Sequence, residues 1–221
     1  MVLRQLQSLL GRVYDVPSHY DVYDFLVTDR LAVAALKQRD DQGADQGATE
    51  EELLLAETAD GAGVSLYLDE RLLKRLETAD PFGALTEKNL ADYCTALEGV
   101  SHFVYSTWRL GSDAPVSLLE LETQAEVDKF VATIFLVADQ TDGSYPAQVH
   151  ARLFDRVSYK AGLAPDEVHR YRTAHRSAAG YCRKLERRFV NRGQVRIEAM
   201  VRELRKFYRL GSAAKLHYAT A

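Results

Sequence analysis

The stretch "SLLELETQAEVDKFVATIFLVA", Ser117 to Ala138, decides the fold class. Ser117 stands where a hydroxyl can accept a hydrogen bond from the first turn of a helix. The second half, "FVATIFLVA" (Phe130–Ala138), is apolar all round at helical spacing. Such a helix has to be enclosed on several sides. The run is bounded by Lys129 and Asp139 and falls far short of the ~20 residues that cross a bilayer, so no membrane partner is expected. The enclosure that remains is other helices, which predicts the centre of a bundle.

The flanking segments supply those helices. Upstream, "TEKNLADYCTALEGVSHFVYSTW" carries Leu90, Cys94, Leu97, Ser101, Val104 and Trp108 along one stripe, with Thr86 as its cap. Downstream, "PAQVHARLFDRVSYKAG" opens near a proline and closes on Gly162. "PDEVHRYRTAHRSAAGYCRKLERRFVNRG" has Pro165, Asp166 and Glu167 in its first turn and Gly193 at its end, and "VRIEAMVRELRKFYRLG" runs to Gly211. Near the start, Leu3, Leu6, Leu10 and Val13 mark an opening helix ended by Pro17, and "YDFLVTDRLAVAALK" reads as a second helix.

Residues 38–49, with the tandem "DQGADQGA", read as a flexible loop. "ELLLAET" and "VSLYLD" around an Asp-Gly turn read as a β-hairpin, with Val64, Leu66 and Leu68 alternating with Ser65, Tyr67 and Asp69. "DERLLKRLE" adds a short helix after it. The expected fold is therefore mainly α, a helical bundle with a small β-hairpin in the N-terminal third, built as a single domain over residues 1–221. The 47% apolar and 27% charged content suits a soluble globular chain of that size.

Charge is unevenly distributed. Residues 147–221 hold 17 Arg and Lys against 6 Asp and Glu, a balance of +11, whereas residues 1–146 stand at −15. This basic helical C-terminal part concentrates in "HRYRTAHRSAAGYCRKLERRF", His169 to Phe189. On a helix it divides into two stripes. Val168, Tyr171, His175, Ala178, Cys182, Leu185 and Phe189 recur at 3-4 spacing as a packing seam, in which His175 is expected to be structural. Arg172, Arg176, Arg183 and Arg187 form a ladder beside it.

The final helix adds Arg202, Arg205 and Arg209. Arginine suits forked contacts to carboxylate or phosphate. The leading expectation is a non-catalytic adaptor that binds an acidic protein partner through these seven arginines. The alternative is nucleic-acid binding by the same face, with Tyr171, Tyr181 and Tyr208 stacking on bases. Solvation, or pairing with the chain's own acidic half, would explain the ladder as well.

Catalytic chemistry finds little support. There is no G-x-S-x-G, no phosphate-cradling glycine loop and no dinucleotide fingerprint. Ser101 and His102 are neighbours that point different ways on a helix. Cys94 and Cys182 form no C-x-x-C pair and fall on apolar stripes, and "MVLRQLQSLLGRV" lacks the apolar core of a signal peptide, which points to the cytoplasm.

Glu98 and His102 lie one turn apart on one helix, and Glu122 and Glu126 on the next, the raw material of a bundle metalloenzyme. The usual di-iron signature repeats Glu-x-x-His, however, and this chain has Glu-x-x-x-His once. Glu126 can also pair with Lys129, so a solvated face is the simpler account. No metal and no cofactor are expected.

Overall fold

The computed structural model describes residues 1–17, 19–39, 49–58, 61–112, 114–141, 149–155, 163–191 and 194–220. Its centre is the helix expected to be enclosed, Leu118–Gln140, numbered α5 in chain order below. Ser117 Oγ caps it by accepting from the Glu120 amide at 3.2 Å. Phe130, Val131, Ala132 and Ile134 are all fully buried. The chain is mainly α, about 70% helical. Among the described residues no helix is long and apolar enough to cross a membrane.

Around α5 pack α1 (Val2–Tyr14), α4 (Leu90–Leu110), α6 (Val149–Phe154), α7 (Pro165–Phe189) and α9 (Ser212–Thr220), while α8 (Ile197–Tyr208) lies against α1 and α7. In α1 the predicted stripe Leu3, Leu6, Leu10 and Val13 is buried, and Asp15 ends the helix at φ 55°. A short polar residue tolerates that left-handed turn.

The first departure from expectation concerns "YDFLVTDRLAVAALK". Its start is a 3-10 turn (Val22–Phe25), followed by strand β1 (Leu26–Val27); α2 (Arg30–Arg39) begins only after Asp29, whose side chain accepts from the Leu31 amide. The β-branched and aromatic start pairs in a sheet because a partner strand is at hand. That partner is β3 (Gly61–Leu68), which also pairs antiparallel with β2 (Glu51–Thr58), from Glu51 opposite Leu68 to Thr58 opposite Gly61. The hairpin thus becomes a three-stranded sheet of order β1-β3-β2. As its central strand, β3 is covered on both faces. Leu66 and Leu68 are buried as the alternation predicts, but so is Tyr67, with Arg30 5.3 Å from its ring centroid.

Other boundaries move for local reasons. The short helix after the sheet is α3 (Glu70–Thr78), capped by Asp69. Helix α4 starts at Leu90 rather than near Thr86, because Asn89 ties down the approach to it. Its Oδ1 accepts from the Thr86 amide and its Nδ2 donates to the carbonyls of Ala79 and Ala84.

Helix α7 opens at Pro165 as expected but gives way at Phe189 to a small ladder of β4 (Val190–Asn191) and β5 (Gln194–Val195). Gly193, Gly162, Pro146 and most of the expected 38–49 loop lie outside the described residues; Gln38 and Arg39 belong to α2. Beyond Gly211 the chain forms α9, a segment with no apolar stripe to announce it.

Candidate functional site

Sheet and bundle meet where β2 and β3 cross α4, and Gly99 permits the approach. A Cβ there would lie 2.9 Å from Glu51 Cγ and from Leu66 Cδ1. The close contact delivers Glu51 to His102, one turn along α4, whose Nδ1 is 3.2 Å from Glu51 Oε1. On the other side of the ring, His102 Nε2 is 3.8 Å from Glu122 Oε2 on α5. Nε2 is buried and has no hydrogen-bond partner.

Lys129, two turns along α5 from Glu122, donates to Glu98 Oε2 and to Glu126 Oε1, both at 2.7 Å. Glu126 Oε2 lies 3.0 Å from His175 Nδ1, and His175 Nε2 is 3.0 Å from the Phe154 carbonyl. With an acceptor at each nitrogen, His175 carries both ring protons and is cationic.

The pairs Glu98/His102 and Glu122/Glu126 do not form the solvated face the sequence suggested. They turn inward, and three of the four converge: one ligand atom each from Glu98, His102 and Glu122 lies within 4.8 Å of the others. The contributions of β2 and α7, Glu51 and His175, come from distant sequence and carried no local signal. His175 sits in the seam, held by Glu126 and packed with its ring centroid 5.3 Å from that of Phe154.

Electrostatics within the cluster are strongly perturbed. Burial disfavours the His102 imidazolium, yet Glu51, Glu122 and Glu98 lift its pKa to about 9. Burial raises the Glu122 carboxyl to about 7, with Glu98 and Glu51 adding to the effect against His102. Burial also opposes ionisation of Glu126, but Lys129 and His175 hold its carboxyl down to about 2. Lys129 and His102 keep Glu98 below the usual carboxylate range in the same way. Cys94, one turn before Glu98, is pushed by burial up to about 12 and is no thiolate.

A second buried network lies across α5. Asp128 accepts hydrogen bonds from Ser101 Oγ at 2.6 Å, from Gln124 Nε2 at 2.7 Å and from the Tyr14 hydroxyl. Ser101 thus points away from His102. Lys215 of α9, fully buried, donates to Gln124 Oε1 at 2.8 Å and to the Tyr105 hydroxyl at 2.9 Å. Tyr105 in turn donates to Glu120. Burial drives Lys215 down to about 7 and Asp128 up to about 6. Lys215 carries no local signal in the sequence, because nothing marks its segment as packed. A cleft of about 180 Å³ beside Gln7, Val16 and Trp108 touches neither network.

The arginines fall into two groups. Arg172, Arg176, Arg183 and Arg187 are all exposed along one side of α7, opposite the seam that Ala178, Cys182, Leu185 and Phe189 bury in the core. Among the described residues none of the four forms an ion pair. Arg183 makes a 3.4 Å contact to His150 Nδ1.

The arginines of α8 differ. Arg205 donates to the carbonyls of Arg12 and Val13, and Arg209 to those of Tyr14 and Asp15, closing the C-terminal end of α1. Arg202 is exposed. Of the tyrosines expected to stack on bases, Tyr181 and Tyr208 are buried in the core and only Tyr171 keeps partial exposure.

No family model, curated protein or solved structure matches the chain. The functional reading therefore rests on these residues themselves.

Proposed function

We propose that the chain is a non-catalytic interaction protein, an adaptor of the cytoplasm, that binds an acidic surface of a partner protein through the α7 ladder of Arg172, Arg176, Arg183 and Arg187. One observation carries this reading: the four guanidinium groups share one exposed side and have no carboxylate partner among the described residues. A guanidinium already engaged by a carboxylate has few donors left for a partner; these keep theirs for forked contacts. Some carboxylates of the chain's own acidic part, the obvious internal rival, are engaged elsewhere. Glu50 and Asp92 hold Arg75, while Glu98 and Glu126 hold Lys129.

A protein surface suits the ladder better than nucleic acid does. Two of the three tyrosines that would stack on bases are in the core, and Arg205 and Arg209 are engaged with α1 carbonyls. The absence of a membrane-crossing helix among the described residues and the free thiols of Cys94 and Cys182 support a cytoplasmic setting.

The test is a capture experiment with the full chain, followed by affinity measurement on the purified, identified partner. Arg172→Glu, Arg176→Glu, Arg183→Glu and Arg187→Glu combined should weaken binding by about tenfold or more, and the wild-type affinity should fall with added salt. Equal affinities for wild type and variant refute the reading. Capture abolished by nuclease assigns the ladder to nucleic acid instead.

A further inference from the structure

We propose that Glu98, His102 and Glu122 form a binding site for one divalent first-row transition-metal ion between α4 and α5, with Glu51 orienting the imidazole. The site lies apart from the α7 ladder and does not depend on it.

Three independent features converge. The first is distance. The candidate ligand atoms lie within 4.8 Å of one another, and Nε2 of His102 is already 3.8 Å from Glu122 Oε2. An ion bound at about 2.0–2.2 Å draws its donors to about 3.3–3.6 Å apart, a change that side-chain rotation on two rigid helices can supply.

The second is His102 itself. It is only 7% exposed, its Nδ1 is held by Glu51, and its buried Nε2 lacks a hydrogen-bond partner while facing the two carboxylates. A buried polar nitrogen without a hydrogen bond is costly. A carboxylate on one ring nitrogen is the arrangement that presents the other nitrogen's lone pair to a metal.

The third is charge. Glu51, Glu98, Glu122 and Glu126 supply four carboxylates, and Lys129 and the doubly hydrogen-bonded His175 supply two cations. The balance of −2, counted without His102, is what a divalent ion would neutralise once it has taken the place of the imidazole's second proton.

The same contacts assign the supporting roles. Both Glu126 oxygens are engaged, one by Lys129 and one by His175, so Glu126 is a supporting residue and not a ligand. Lys129 engages Glu98 Oε2 and leaves Oε1 for the ion. One imidazole with two carboxylates suits Mn²⁺, Fe²⁺ or Zn²⁺ better than Mg²⁺ or Ca²⁺, which favour oxygen donors alone. The Glu98 and Glu122 side chains keep 26% and 12% exposure, so an ion reaches the site without crossing the core.

The experiment uses the full chain stripped with a chelator and titrated with Zn²⁺ by calorimetry and with Co²⁺ by visible absorption and NMR. The expected result is one ion per chain. His102→Gln and Glu122→Gln should each weaken binding at least about tenfold, Glu51→Gln should weaken it by about 10–100-fold, and Glu126→Gln should leave the stoichiometry at one. Paramagnetic NMR of the wild-type Co²⁺ form should show a single shifted imidazole N–H, the Nδ1 proton of His102, a readout that needs no variant to fold. No saturable Zn²⁺ binding by the wild type overturns the proposal. So does affinity unchanged in a folded His102→Gln variant, which would place the ion on surface histidines such as His169 or His217, and so does a Co²⁺ spectrum with no shifted imidazole.

Discussion

Lys215 shows how far a single residue can depart from its type. A lysine with no exposure is tolerated because Gln124 and the Tyr105 hydroxyl accept from its Nζ, and because the Tyr105 ring centroid lies 4.2 Å away. Burial outweighs the nearby Glu120 and Asp128, so the amine titrates at about 7 instead of the ordinary 10.5. Between those two values the unfolded chain binds the proton that the native chain releases, and native stability rises with pH. Relative to Lys215→Met, the wild type should therefore gain about 1.4 kcal/mol per pH unit above pH 7, with a constant difference below it. Urea unfolding of both proteins at pH 6, 7.5 and 9 measures this, and a flat difference across the range refutes a lowered lysine. The sequence concealed this residue because its segment, "SAAKLHYAT", has no apolar stripe; among its described side chains Lys215 and Ala219 are buried.

At the scale of elements, two helical glycines separate close approach from mere tolerance. At Gly99 a Cβ would press on Glu51, Leu66 and Leu68 at 2.9–3.2 Å. At Gly180 its nearest neighbour would be the Ala219 carbonyl, at an ordinary 3.6 Å. Alanine is the better helix former by about 1 kcal/mol at either site. Gly180→Ala should therefore stabilise the protein by up to about 1 kcal/mol. Gly99→Ala should destabilise it by about 1 kcal/mol, since overpacking costs about 1–3 kcal/mol. Opposite shifts in the chemical denaturation midpoint bear this out; shifts of the same sign do not. The helices α1, α5 and α7 and the β2–β3 hairpin were legible because their apolar periods are long. The two-residue strand β1 was not, because its pairing depends on β3, some forty residues along the chain.

For the whole molecule, the charge split seen in the sequence does not translate into one half neutralising the other. Among the described residues, Glu50 and Asp92 hold Arg75, Glu98 and Glu126 hold Lys129, and Glu87 and Asp15 reach Arg152 and Arg205, while the α7 ladder stays exposed. Reversing all four of its arginines to glutamate should consequently cost no more than about 1 kcal/mol of stability, mainly from Arg187 at the C-terminal end of the helix dipole. A melting temperature within a few degrees of wild type is the expected outcome; a collapse would reveal internal pairing of the ladder.

The sequence by itself determined the fold class, the enclosed central helix and the two stripes of α7, because each is written in local periodicity that a helix converts directly into a face. It also placed Glu98, His102, Glu122 and Glu126 one turn apart on consecutive helices. Which way those faces turned was decided only by tertiary structure. Glu51 arrives from β2 across Gly99, His175 from α7 and Lys215 from α9, and the burial that perturbs Glu122 and Lys215 exists only once these elements have packed together.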